Sequence, residues 1–498
     1  MKKYIIAFDQ GTTSSRAVAF DREGTLVAIK NKEFPQIFPR PGWVEHNPED
    51  LVSSQLSAFR DLLKENDILP QEIDSIGITN QRETIVVWDR TTGLPVYNAI
   101  VWQCRRTAAI CEDLKARGYA ETIRSRTGLL PDAYFSATKI QWILDNVEGA
   151  RERAEKGQLM AGTVDSWLIF NMSGGSIHVT DITNASRTML FNIIHQEWDP
   201  ELLRMMNIPA GILPEVRGCS EPLGHYDCDG VRIPVCGCAG DQQAALFGQL
   251  CLDSGDTKNT YGTGCFLLMN TGKEPVFSGS GLLTTVAWRI GGDIRYALEG
   301  SVFNAGSSIQ WLRDELGIIA DAAESEGFAR QVEDTGDVYF VPAFTGLGTP
   351  HWDMYARGIL IGITRGTNKC HIIRATLESI AFQSDDVLTC MKKDSGLEMG
   401  TLKVDGGASR NGFLMQFQAD LLGVRVFRPK ITETTALGAA FLSGLHTGFY
   451  ESTDTLKKIC RADMIYYPGR DESFREKARK RWSMAVEKAK GWAMVDKK

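Results

Sequence analysis

The sequence predicts an α/β protein of two halves that face one another across a cleft, and three observations carry that prediction. The chain opens with a hairpin of short strands whose tip is small and polar, Asp9-Gln10-Gly11-Thr12-Thr13-Ser14-Ser15. A second such hairpin, with Tyr261-Gly262-Thr263-Gly264 at its tip, opens the second half, and in both halves helices and further strands follow. The composition suits a large soluble core: 498 residues, 43% hydrophobic and 23% charged, a length that allows two to four domains.

The elements follow in order. Tyr4–Phe8 is apolar throughout, as a central strand should be, and Arg16–Phe20 and Thr25–Lys30 continue it as an antiparallel meander. A dinucleotide-binding unit would place a helix directly after the first glycine turn. The first helix comes later, with Asn47 as its cap, Pro48 at its first position, Glu49 and Asp50 beside its positive end, and Leu51, Leu56, Phe59, Leu62 and Leu63 on one face. Strands resume at Ser75–Thr79 and Thr84–Asp89. In the second half the strands are Thr257–Thr260, Cys265–Met269, Leu283–Arg289 and Arg295–Glu299. Helical periodicity follows at Ser308–Leu316 and around His371–Met391. A strand at Leu402–Asp405, a helix at Gly412–Leu422, a strand at Val424–Phe427 and a helix at Thr435–Leu445 complete the half. The tail Phe474–Val486 reads as a docked helix, with Phe474, Ala478, Trp482 and Ala485 inward and a solvated basic face. We place the division near Gln249, giving domains 1–249 and 250–498.

Several function classes are excluded. The formal charge of −7 argues against nucleic acid as a partner. No apolar run reaches the ~20 residues of a membrane span, and Tyr4–Phe8 is too short for an export segment, so a cytoplasmic location is expected. The 11 cysteines suit a reducing compartment, and Cys219, Cys228, Cys236 and Cys238 with His225 fit no usual zinc spacing. The 7 histidines form no HExxH pair, Gly272-Lys273-Glu274 is not a Walker A loop, and the protein-kinase HRD and DFG pairs are missing.

Four segments could carry chemistry. Gly11, the hydroxyls around it and Arg16 could cradle a phosphate, with Asp9 placed to organise Mg²⁺; a solvated polar turn would look similar. Lys258-Asn259-Thr260-Tyr261-Gly262-Thr263-Gly264-Cys265 could clamp the same polyphosphate from the other side. Asp405-Gly406-Gly407-Ala408-Ser409-Arg410-Asn411 leaves room for a base or ribose, or simply opens a helix. Asp241, in Ala239-Gly240-Asp241-Gln242-Gln243-Ala244, either caps a helix or serves as a base aimed at a hydroxyl.

Together these segments resemble the FGGY carbohydrate kinases. So do Asn80-Gln81-Arg82-Glu83-Thr84, Val101-Trp102-Gln103-Cys104-Arg105, Met189-Leu190-Phe191-Asn192 and Gly348-Thr349-Pro350-His351-Trp352-Asp353. The resemblance covers nearly the whole chain. It implies two actin-like ATPase (ribonuclease H-like) domains flanking a central catalytic cleft, and transfer of the ATP γ-phosphoryl group to glycerol. Thr13 and Arg16 would then meet the ATP phosphates, with Thr12 and Ser14 beside them. Thr263, Gly306, Gln310, Gly407 and Asn411 would line the nucleotide site. Arg82, Glu83, Trp102, Tyr134, Asp241, Gln242 and Phe266 would surround glycerol, Asp241 would be the base, and Asp9 with Asp241 would place Mg²⁺. A homodimer or homotetramer is expected.

Some bacterial members of the family carry a glycine-rich loop for fructose 1,6-bisphosphate. The corresponding Asp227-Cys228-Asp229-Gly230-Val231-Arg232 has one glycine and an added acid, so that regulation is not expected here. Phosphorylation of a loop histidine, as in other members, is not expected at His225, whose flanks differ. The competing readings are a kinase for another polyol or a ketose and, from a different class, an actin-like nucleotide switch that hydrolyses ATP without a polyol.

Overall fold

The computed structural model describes residues 2–494. Two large mixed sheets dominate it, and each repeats one plan. In the first, strands β1 (Tyr4–Gln10), β2 (Ser14–Phe20) and β3 (Leu26–Glu33) form the expected antiparallel meander. β4 (Ile73–Asn80) then joins β1 in parallel, and the hairpin β5 (Ser220–Cys228) and β6 (Val231–Gly240) joins β4 through β6, also in parallel. In the second sheet β7 (Thr257–Tyr261), β8 (Cys265–Gly272) and the hairpin β9 (Leu283–Ile290) and β10 (Asp293–Val302) are antiparallel. There β11 (Thr401–Asp405) and β12 (Arg425–Pro429) extend β7 in parallel, and β13 (Ala462–Tyr466) closes the edge. The shared core order, meander on one side and parallel strands on the other, is the internal duplication seen in the sequence. Strand Ile85–Asp89, by contrast, leaves the first sheet and joins a separate four-stranded one with Leu159–Thr163.

Strand β1 is apolar on both sides because both faces are covered. Ile6 and Phe8 pack with Leu51, Ala58, Phe59 and Leu62 of helix α1 (Pro48–Glu65). Asn47 caps that helix as expected, its side chain accepting from Glu49 N at 3.1 Å, a bond worth about 1 kcal/mol. Ile5 and Ala7 point the other way, into a core shared with Leu246 and Phe247 of α2 (Asp241–Gly248). In the second half, α3 (Gly306–Asp314) follows β10, and α4 (Lys369–Ser395) and α5 (Gly412–Leu422) flank the sheet.

The next helix, α6 (Thr434–Thr447), comes from the far end of the chain, yet Leu437, Ala440 and Phe441 join the core beneath β1. α2 and α6 lie backbone to backbone. A Cβ on Gly438 would stand 1.9 Å from the Ala244 carbonyl oxygen, and one on Gly248 would stand 2.0 Å from that of Thr434. Only glycine permits that approach. Helix α7 (Glu472–Ala489) docks as expected, with Ala478, Trp482 and Ala485 buried. No helix among the described residues is long and apolar enough to cross a membrane.

Candidate active site

The site begins where parallel strands end. Gln10, Asn80 and Gly240 stand side by side at the carboxyl ends of β1, β4 and β6, where open α/β sheets bind ligands. The residues just beyond those ends therefore converge. Arg82 Nε lies 3.2 Å from Asp241 Oδ1, at the first residue of α2. Glu83 adopts φ 60, a left-handed conformation that costs a non-glycine residue about 1–3 kcal/mol and is held only where surroundings enforce it. Gln81 supplies part of that enforcement, donating to the Gly11 carbonyl at 3.0 Å and accepting from Thr84 Oγ1 at 2.8 Å. Thr84 Oγ1 in turn receives the Trp102 backbone N–H at 3.1 Å. The Trp102 indole then donates to Thr12 Oγ1 at 3.0 Å, tying this wall to the first hairpin tip.

Behind Arg82 lies a buried ionic lattice drawn from both halves. Glu299, on β10, accepts from Arg82 Nη1 at 2.6 Å and Nη2 at 3.1 Å, and from Arg187 Nη2 at 2.9 Å. Arg187 Nε donates to Glu83 Oε1 at 2.7 Å, and Arg82 Nη2 to the Tyr134 hydroxyl at 3.2 Å. The Tyr134 and Trp102 rings meet edge to face with centroids 5.6 Å apart. Burial works against the Glu299 carboxylate, but the Arg187 and Arg82 guanidiniums draw its pKa down to about 2. Burial pushes Asp241 above the ordinary carboxylate range, against the pull of Arg82 and Lys258. A carboxylate set this way is a better proton acceptor than a free one.

Asp9 is also pushed up, to about 6, first by burial, against the pull of Arg16, with Glu433 and Asp241 adding repulsion. Arg16 Nη1 stands 3.7 Å from Asp9 and 3.0 Å from Glu433, which immediately precedes α6. Asp9 and Asp241, close enough that the second raises the first, offer hard carboxylate oxygens of the kind Mg²⁺ takes. On β7, Lys258 Nζ donates to Gln242 Oε1, to Thr260 Oγ1 at 2.9 Å and to the Phe266 carbonyl at 3.3 Å. Burial lowers its pKa to about 8, with Asp405 and Asp241 resisting. Lys258 thus draws Gln242 and Phe266 toward the Arg82–Asp241 pair.

The other expected contacts sit on the second half. The tip of the β7–β8 hairpin closes through Gly262 N to the Gly264 carbonyl at 2.9 Å. The start of α3 docks on that tip: Gly306 N reaches the Gly262 carbonyl at 3.0 Å, and Ala305 N the Thr263 carbonyl at 2.9 Å. A Cβ at Gly306 would lie 2.6 Å from that Gly262 oxygen. After β11, Gly406 has φ 84 and packs against the Tyr261 backbone, whereas a Cβ on Gly407 would meet nothing within 4 Å. Thr13, Thr263, Gln310 and Gly407 are exposed. Ser14 is buried at the start of β2. The Asn411 side chain caps α5, accepting from Leu414 N at 3.0 Å and donating to Ser325 Oγ at 3.2 Å.

Arg187, Glu299 and Glu433 are site-lining groups that no sequence motif picks out. Glu299 left a signal, since it is the one acid in the apolar run Tyr296-Ala297-Leu298-Glu299-Gly300. Arg187 and Glu433 act through partners 104 and 417 residues away in sequence, which no local pattern reveals. Two of the four cysteines, Cys219 and Cys238, come together, but the four form no single cluster. Cys219 and Cys238 point at Asp181 at 3.3 and 3.9 Å, Cys228 packs in the core beside α1, and His225 faces Asp227 on the β5–β6 hairpin. That hairpin turns tightly at Asp229-Gly230, with Arg232 paired to Asp227 at 3.2 Å.

Fold and site together define a two-lobed sugar or polyol kinase. Residues 4–248 match the N-terminal domain, and residues 257–446 the C-terminal domain, of the FGGY family of carbohydrate kinases, and the chain belongs to that family. It is 59% identical over 495 residues to the glycerol kinase of Caldanaerobacter subterraneus subsp. tengcongensis, covering 99% of this chain and 100% of that one. It superposes on the crystal structure of Plasmodium falciparum glycerol kinase with ADP at a TM-score of 0.92, with 36% identity and 98% of each chain covered. The gluconate kinase of Lactobacillus acidophilus shares the fold at a TM-score of 0.88 and 23% identity, over 98% of this chain and 97% of that one.

Proposed function

We propose that this chain transfers the γ-phosphoryl group of ATP to a terminal hydroxyl of glycerol, giving sn-glycerol 3-phosphate, in glycerol catabolism. The observation that carries the reading is the convergence of Arg82, Glu83, Tyr134 and Asp241 beside the Trp102 ring, at the ends of parallel strands. A small polyol needs donors and acceptors for its hydroxyls and an apolar cover for its carbons. Arg82 donates, Glu83 and Asp241 accept, and Trp102 and Phe266 cover the C–H groups. The 59% identity to a glycerol kinase favours glycerol over a ketose or a longer polyol.

In this reading Asp241 orients the attacking hydroxyl and takes its proton. Its raised pKa makes it a more willing acceptor, while Arg82 keeps it charged. Thr13 and Arg16 from the first hairpin and Thr263 from the second meet the phosphate chain, Thr12 and Ser14 stand beside them, and Gly306, Gln310, Gly407 and Asn411 line the nucleotide pocket. For Arg16 this means exchanging Glu433 for a phosphate oxygen. Asp9 and Asp241 would hold Mg²⁺, which would neutralise charge on the phosphate oxygens. Phosphoryl transfer of this kind depends on positioning and charge stabilisation more than on covalent chemistry. A division at 249/250, a cytoplasmic location and a homodimer or homotetramer belong to the same reading.

The test is ATP consumption with product identification across glycerol, dihydroxyacetone, xylulose, ribulose and gluconate. Glycerol 3-phosphate should dominate. Preference for a ketose would replace the substrate, and glycerol-independent hydrolysis would favour a nucleotide switch.

A further inference from the structure

Two buried lysines stand near the cleft, and they are built differently. Lys139 gives all its donors to the carbonyls of Ala133, Tyr134 and Phe135, so it pins one loop. Lys258 instead reaches from β7 in the second half to a side-chain amide of the first, Gln242, and to Thr260 and the Phe266 carbonyl. It is fully buried, and among the described residues its ammonium forms no ion pair. Arg82 and Arg187, equally buried, are matched by Glu83 and Glu299. A buried cation held beyond ion-pair distance of the carboxylates that attract it, here Asp405 and Asp241, has its desolvation only partly offset. Residues kept at such a cost are characteristic of sites where stability gives way to activity.

We propose that Lys258 is a positioning residue for phosphoryl transfer, acting from the second half to fix the Gln242 amide and the backbone at Phe266 around the substrate bound next to Asp241. The proposal rests on the reading of this site as a glycerol-phosphorylating one. Gln242 follows Asp241 directly on α2, and its backbone N–H already donates to Asp241 Oδ1 at 2.7 Å, so whatever holds its side chain also steadies the base. Since Lys258 lies on β7 and Gln242 on α2, the contact also sets the spacing between the halves at the point of reaction.

The experiment compares the native enzyme with K258M, K258R, Q242A and the K258M/Q242A double variant, by steady-state kinetics and thermal melting. K258M should lower kcat/KM for glycerol by about 10²-fold, the scale of a misplaced reacting group, and leave the KM for ATP within about twofold. Its melting midpoint should change little, since the desolvated charge that is removed offsets the three acceptors left without their donor. K258R should recover part of the activity. The double variant should be no worse than the poorer single one, because the two residues act as a unit. A K258M enzyme with normal kinetics, one whose midpoint falls in step with its activity or which does not fold, or a double variant whose losses multiply, overturns the proposal. If the native enzyme shows no glycerol-dependent ATP consumption, the functional reading fails separately. The K258M crystal structure then decides: Gln242 displaced supports the positioning role, and Gln242 in place overturns it.

Discussion

The two walls of the cleft are finished to different degrees. On the side proposed for the substrate, Arg82, Glu83, Arg187 and Glu299 have side chains 0–2% exposed, locked to one another by short charge-assisted bonds. On the side proposed for the nucleotide, Thr13, Thr263, Gln310 and Gly407 are exposed, and the backbone carries the geometry. A small polyol brings few contacts with which to order a pocket, so in the proposed reading its wall is assembled beforehand. A nucleotide triphosphate brings many contacts and can order hydroxyls and a guanidinium as it arrives. Arg16, half-exposed and paired with Glu433, is the group that the proposed reading would re-pair with a phosphate.

The sharpest test of the preassembled wall is Asp241→Asn. It should lower kcat by about 10²–10⁴-fold, the usual cost of losing a general base, while calorimetry still detects glycerol binding. Near-normal turnover would remove Asp241 from the chemistry. Next comes Glu299→Gln, which leaves two buried guanidiniums short of charge and should cost about 3–5 kcal/mol of stability, read by denaturant melting. A variant as stable as the native protein would mean the lattice is not what holds this wall.

The glycine pair after β11 contrasts with that lattice. Gly406→Ala meets the Tyr261 carbonyl oxygen at 2.4 Å with φ 84 and should destabilise by about 1–3 kcal/mol or more. Gly407→Ala meets nothing within 4 Å and should melt within about 0.5 kcal/mol of the native chain. Its KM for ATP should nevertheless rise about tenfold, the equivalent of 1.4 kcal/mol, with the KM for glycerol unchanged. Equal effects of Gly407→Ala on both substrates would erase the distinction between the walls.

The response to pH gives a further comparison, read as a difference rather than a single loss. Burial lowers His46 and His178, both in the first half, to about 4. The unfolded chain therefore takes up protons below about 6.5 that the folded chain refuses, so their contribution is complete above 6.5 and fades toward 4. Asp9 and Asp165, raised to about 6 mainly by burial, act in the opposite sense. The readout is accordingly a difference: an H46Q/H178Q variant should lose less stability between pH 7 and pH 4.5 than the native chain.

Much of this architecture was legible in the sequence because it is local. The meander, the capped helix at Pro48 and the docked tail follow from apolar period, caps and turns. Helix Gly412–Leu422 falls where its sequence places it. The candidate site was legible only as separate blocks. What joins them, Glu299 to Arg82, Arg187 to Glu83 and Lys258 to Gln242, spans the fold, and such pairings leave no periodic trace. Strand Ile85–Asp89 was found as a strand but not as part of a second sheet, since a short apolar run does not say which edge it joins.

The glycine seam between α2 and α6 has a consequence for how the chain comes into being. A ribosome releases the amino-terminal sheet long before residues 434–447 exist, so the part of the face of Ile5, Ala7, Val18 and Phe20 that α6 covers must wait through nearly two hundred further residues of synthesis. The helix bearing Asp241 gains its backing at the same late moment. The backing of the Asp241 helix is therefore completed only when residues 434–447 have been made.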